Sequence, residues 1–243
     1  MILLIFTLTL RQLVLRKSTF LLVGLSLLPV LLALVFDLSS SSEDPERWTA
    51  RILYESLVIA IVLPLAALLL GTSALGDEFE DGTAVYLLTK PIPRWQILLP
   101  KLGAAWTITA TLLTVSVVLS GLVALGGAGT LVSGFVIAGI VGSLAYCAVF
   151  MLLSVTTTRA LIAGLVYVFL WEGAITSIFE GARFLSIRHY TMGLGSWLAD
   201  TSTFVYDPTV SGNTAVIMFA IVIVAAVFTA NRKLERIEVR EPS

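Results

Sequence analysis

The sequence predicts an all-α membrane protein with six transmembrane helices, an N-terminal interfacial amphipathic helix and both termini in the cytoplasm. Three observations carry that reading. First, the 243 residues are 58% hydrophobic and 13% charged, with a mean hydropathy of +0.99. A water-soluble domain carries roughly 25% charged residues, so this chain cannot dress an ordinary polar surface. Second, six apolar runs fall at Thr19–Phe36, Ser56–Gly76, Leu102–Leu125, Leu131–Val155, Ala160–Phe179 and Thr214–Ala230. Each is close to the ~20 residues a helix needs to cross the hydrocarbon. None alternates as a barrel strand would, and lipid leaves only those two ways to satisfy the backbone. Third, the cations are unevenly placed. With the N-terminus inside, Arg11, Arg16, Lys17, Lys90, Arg94, Lys101, Arg159, Arg232, Lys233, Arg236 and Arg240 are internal. Arg47, Arg51, Arg183 and Arg188 are external. That bias sets the orientation.

The elements follow in order. Met1 to Leu10 has no positive start, and its charges come after the apolar stretch, the reverse of a signal peptide. Ile2–Lys17 is read as a helix lying on the inner face; the other reading simply extends the first span. Pro29 and Pro64 sit inside the first two spans, where proline frees a carbonyl and can kink the helix. Glu43, Asp44 and Glu46 suit an outside loop. The third span carries Thr107, Thr109, Thr111, Thr114, Ser116 and Ser120. Thr107 and Thr111 are candidates for a polar pathway, although hydroxyls also bond their own helix backbone. The fourth span carries Gly134, Ala138 and Gly142 at four-residue spacing, which lets helix backbones approach closely. Segment 180–213 lies outside. It mixes Phe184, Ile187, Tyr190, Leu194 and Trp197 with Arg183, Arg188, His189 and Asp200, and is too apolar for a disordered linker. Short helices on, or dipping into, the outer leaflet are expected there. Residues 231–243 form an inner tail, and the whole chain reads as one transmembrane domain.

Chemistry-bearing constellations are few. One cysteine, Cys147, and one histidine, His189, provide neither a disulfide framework nor a metal-ligand set. No phosphate-binding glycine loop, HExxH pattern or nucleophile–base pairing occurs. The chain is therefore read as no enzyme, with no cofactor of its own and no metal. A net charge of −1 gives no reason to expect a nucleic-acid partner. Glu172, in Phe169-Leu-Trp-Glu-Gly173, stands out. A carboxylate at bilayer depth costs roughly 2.5–3.5 kcal/mol on insertion scales and marks a functional-site hypothesis. It is a pathway or gating candidate. Two other readings stay open: Trp171 marks an aromatic belt with Glu172 near headgroup water, or Glu172 is hydrogen-bonded between helices.

The segment between the second and third spans is the natural handle for a soluble partner. Asp77, Glu78, Glu80 and Asp81 cluster four carboxylates, and Gly82 breaks the run. Thr83–Thr89 can form two helical turns with Val85, Tyr86 and Leu88 as apolar knobs. Pro91 and Pro93 then stop that helix, and Arg94 and Trp95 re-enter the membrane surface. Asp77-Glu-Phe-Glu-Asp-Gly-Thr83, Leu87-Leu-Thr-Lys-Pro-Ile-Pro-Arg94 and the later Lys101 resemble the corresponding stretch of ABC-2 type transporter permeases. Tyr167–Gly173 and Leu185–Tyr190 further resemble the subgroup of permeases for multicopper-enzyme maturation, a label that carries no implication of copper transport.

The resemblance implies the membrane subunit of an ABC exporter in a prokaryotic-type cell membrane. It would work as a homo- or heterodimer with a second permease copy and two cytoplasmic ATPase subunits, which would bind ATP and Mg. Asp77–Arg94 would be the coupling segment. Asp77, Glu78, Glu80, Gly82, Thr83, Tyr86 and Leu88 would lie toward the ATPase, with Arg94 at the membrane edge. The outer segment would cap the pathway. The runner-up reading is a proton-coupled secondary transporter or channel using Glu172. No internal repeat supports an inverted-repeat transporter.

Overall fold

A computed structural model describes residues 2–39, 43–80, 93–199 and 209–236, with only the backbone for 77–80. Among these, six helices are long and apolar enough to cross a membrane. A separate helix α1, Ile2–Val14, precedes them. The chain breaks at Leu15 and Arg16, where the Thr19 hydroxyl bonds the Leu13 carbonyl at 2.5 Å. Helix α2 then runs Lys17–Leu38. The second span, α3, is continuous: Pro45–Trp48, a π-helical stretch Thr49–Val62, and Leu63–Glu80. It begins well ahead of its apolar run because Asp44 caps it, accepting the Glu46 N–H, and proline occupies the first turn. Phe36 stacks on Trp48 at 4.0 Å, closing the α2–α3 turn.

Helix α4 is Trp95–Leu125 and ends at Gly126, whose φ of 68° needs a residue without a Cβ. Helix α5 is Thr130–Thr156. Helix α6 spans Ala160–Ile178, with a π-helical centre at Tyr167–Ile175. A 3₁₀ segment, Glu180–Leu185, leads to α7, Ile187–Leu198, and α8 closes the bundle at Gly212–Glu235. Six alternating spans return both chain ends to one end of the bundle, called here the termini end; the opposite is the far end.

Lipid offers no hydrophobic drive between helices, so close fit must hold them. Helices α3, α4 and α5 form the centre, with Leu53, Leu63, Leu68, Leu98, Leu113, Phe135 and Phe150 fully buried. Gly121 of α4 lets Tyr54 of α3 approach; the Tyr54 hydroxyl donates to the Val117 carbonyl at 3.1 Å. Helices α2, α6 and α8 are peripheral and present leucine, isoleucine and valine outward, as Leu21 and Val224 do. That surface would be untenable in water and suits acyl chains.

Helix α7 does not lie flat on a surface. It inserts among α5, α8 and the π-helical part of α3. Ile187, Tyr190, Thr191, Met192, Gly193, Leu194, Gly195 and Ser196 are all buried. It runs antiparallel to α5. A Cβ on Gly142 would touch the Thr191 hydroxyl, and one on Gly134 would meet backbone atoms of Gly195 and Ala199. The small-residue row of α5 thus has its partner row in Thr191, Gly195 and Ala199, at the same spacing. Tyr190 packs edge-on against Phe219 of α8.

Candidate functional site

The polar centre of the bundle is built around Glu172. Its host helix is widened, so that Thr176 N–H bonds the Trp171 carbonyl five residues back. In an ordinary helix, Tyr167 and Glu172 would point about 140° apart. In these wider turns they share a face, and the Tyr167 hydroxyl donates to Glu172 Oε1 at 3.0 Å. From α5, the Tyr146 hydroxyl donates to Oε2. From α7, the Ile187 backbone N–H donates to Oε1 at 3.0 Å, and the Arg188 N–H also contributes. Three helices therefore meet at one carboxylate that is 3% exposed. Tyr146 is about 24 Å from Thr130 and about 15 Å from Thr156 along α5 at 1.5 Å per residue, so this node lies within the length of the bundle and not at an end of α5.

The location explains how a carboxylate is tolerated there. A helix N-terminus leaves four N–H groups without intrahelical partners and carries partial positive charge. Glu172 takes the first of these on α7. Ser186 takes another, accepting the His189 N–H at 3.4 Å. The 3₁₀ segment folds back along α6: Trp171 Nε1 donates to the Leu185 carbonyl at 3.3 Å and Arg183 Nε to the Thr176 carbonyl at 3.1 Å. Tyr190 donates to the Phe184 carbonyl. The charges of Arg188 and Arg51 both act on Glu55 of α3.

His189 is half-buried in the first turn of α7, its Nδ1 3.0 Å from the Ser186 hydroxyl. Burial first, then the charges of Arg188 and Arg183, hold its pKa down from 6.5 to about 4. A folded-state value below the unfolded one means the unfolded chain takes up the proton first as pH falls. Its contribution is therefore complete above about 6.5 and is lost as pH drops toward 4. The melting temperature of the detergent-solubilised protein should decline over that window, and His189→Gln should remove that part of the slope. Identical slopes in both proteins would refute the assignment.

The other sequence candidates are placed as follows. Thr107 and Thr111 are exposed on α4 beside Trp106 and Ile140, and each bonds its own helix, to Gly103 and Thr107 carbonyls, both at 2.7 Å. Neither is among the hydrogen-bond partners of Glu172 described above. Arg94 is the N-cap residue of α4, its carbonyl accepting the Leu98 N–H at 3.0 Å. Gly82, Thr83, Tyr86 and Leu88 lie outside the described residues. For Asp77, Glu78 and Glu80 the helical backbone of α3 is described and their side chains are not.

Sequence reasoning did not find Tyr146, Tyr167 or the N-terminus of α7 as partners of Glu172. It also passed over Lys101 as a structural group. This lysine is 3% exposed, and its Nζ donates to the Ala74 carbonyl at 2.8 Å, joining α4 to the end of α3. Its occurrence in a buried position of an apolar helix was the available signal.

Comparison with known sequences adds one family. The sequence profile described as ABC-2 family transporter protein matches residues 14–187, from the end of α1 to the first residue of α7. No curated protein matches the chain.

Proposed function

The chain belongs to the ABC-2 family of transporter proteins, and from that premise we propose that it is the membrane subunit of an exporter driven by ATP hydrolysed in a separate cytoplasmic subunit. The observation that carries this reading is the family match, which extends over five of the six spans. It is a multi-pass membrane permease, not itself a catalyst. In the proposed assembly two ATPase subunits serve two permease copies, the termini end faces the cytoplasm, and the membrane is the plasma membrane. The charge pattern supports that orientation, since among the described residues Arg11, Arg16, Lys17, Arg94, Lys101, Arg159, Arg232, Lys233 and Arg236 belong to the segments at the termini end.

The docking element proposed is Asp77–Arg94. It connects α3 and α4, which are joined near the termini end by Lys101, so a push on the segment would be delivered to two central helices together. Four carboxylates, Asp77, Glu78, Glu80 and Asp81, would face a cationic groove of the ATPase. The apolar outer segment and the hydroxyl-bearing third span favour lipid-like or peptidic cargo over a hydrated ion.

Charge reversal tests the pairing. Glu80→Lys with Thr83→Lys should lower co-purification of the proposed ATPase subunit about ten-fold or more, given like charges placed in a docking face. Membrane insertion and the melting temperature of the permease alone should hold. Undiminished co-purification would reject this segment as the docking site.

A further inference from the structure

We propose that Glu172 is the positioning residue for α7, holding it inside the far end of the bundle so that α5, α6 and α7 act as one unit. Two kinds of contact secure α7, and they differ in nature. Along its length it is held by shape: Thr191, Gly195 and Ala199 interlock with Gly142 and Gly134 of α5, and Tyr190 packs on Phe219. Such contacts fix how closely the helices approach and supply no directional bond. At its first residue it is held by direction. The Ile187 N–H points at Glu172 Oε1, and the same carboxylate is fixed by Tyr167 on its own helix and by Tyr146 on α5. Those donors set where α7 begins and how deep it sits.

The chain leading into α7 reinforces the same place. The 3₁₀ segment is bonded to α6 through Trp171 and the Thr176 carbonyl, both within one turn of Glu172. Thr176 in turn donates to the Glu172 carbonyl at 2.7 Å. A break at Glu172 would release the α7 start from α5 and leave it tied to α6 only through the 3₁₀ segment that precedes it. Along α7 itself the contacts with α5 and α8 would then be packing. Helix α7 fills the space between α5, α8 and α3, so its depth decides whether the far end is closed. In this role Glu172 acts through α7. The function of the unit rests on the permease reading, whereas its assembly does not, and the assay below needs no ATPase.

The test uses the full chain in phospholipid nanodiscs, open at both faces, and a membrane-impermeant maleimide. The reporter is Ser196→Cys in a Cys147→Ala background, since Ser196 is 5% exposed on α7. With Glu172 intact, labelling should be slow. Glu172→Ala should accelerate it about ten-fold or more, as a locally opened helix would. Glu172→Gln keeps an acceptor for the Ile187 N–H and should restore a near-parental rate. Native Cys147, fully buried in α5, reports the integrity of the bundle in Glu172→Ala without the added cysteine, and should stay unreactive. If Cys147 does become reactive there, the Tyr146→Phe, Tyr167→Phe double variant decides: it must expose Ser196→Cys and leave Cys147 protected. An unchanged reporter rate in Glu172→Ala, no rescue by Gln, or joint exposure of both cysteines in the tyrosine variant would each overturn the proposal.

Discussion

Alanine at Gly134 should destabilise the protein, whereas alanine at Gly139, five residues along the same helix, should not. A Cβ at Gly134 would stand 2.7 Å from the Ala199 nitrogen and 2.8 Å from the Gly195 oxygen. Those are backbone atoms of α7 and cannot turn aside, so the helices must separate. Overpacking of this kind costs about 1–3 kcal/mol, through shifted backbone and lost contacts around the insertion. At Gly139 a Cβ meets nothing within 4 Å, and replacing glycine within a helix gains roughly 0.5–1 kcal/mol through lower unfolded-state entropy. The two variants should shift the melting temperature in opposite directions. Hydrogen exchange should locate the loss at Gly134→Ala in α7. Equal shifts would mean that α7 is not seated against α5.

That pair of glycines shows how far the sequence reaches. The spacing Gly134–Ala138–Gly142 announces a close helix contact, because small residues every four positions line one face. It does not say what fills the contact. The partner row, Thr191–Gly195–Ala199, has the same spacing but sits in a segment with an arginine, a histidine and a tryptophan, whose composition resembles an interfacial loop. Hydropathy reports transfer to lipid, and α7 is surrounded mainly by protein. Its insertion follows from packing against α5 and α8, which a single chain's hydropathy does not encode.

The Glu172 node was half legible for a different reason. A lone carboxylate in an apolar run is conspicuous, since its burial is costly. Its partners are hidden by geometry. Tyr167 is five residues away, a separation that places two side chains on different faces of a regular helix and on one face only when the turns widen. The Ile187 donor is a backbone group, present at every residue, and becomes special only because a helix starts there. Trp171, which reads as a marker of headgroup depth, also uses its indole N–H to secure the returning chain at Leu185. The six spans, by contrast, were plain, because length and apolarity are the whole requirement for crossing lipid.

Lys101→Glu should prevent accumulation of folded protein, and Lys101→Met should give a folded but weakened one. Lys101 enters the bundle in the second turn of α4 and is nearly inaccessible, with its ammonium on the Ala74 carbonyl of α3. Asp77, Glu78 and Glu80 follow within the next two turns of α3 and add formal negative charge. Methionine preserves the length of the stem and its packing, and removes the charged donor. The loss includes the hydrogen bond from the ammonium to the Ala74 carbonyl, and a bond to a charged group contributes about 1.5–3 kcal/mol. Glutamate also puts an uncompensated carboxylate against a carbonyl in a buried place, and leaving such a charge unpaired costs about 3–5 kcal/mol. For a membrane protein of ordinary stability, around 5–15 kcal/mol, that is a large share of the total. Yield in the membrane fraction and melting in detergent would measure both variants. The order wild type, Met, Glu is required; a glutamate variant as stable as the methionine one would show that the ammonium site tolerates negative charge, and would remove the electrostatic account of how α3 and α4 are joined.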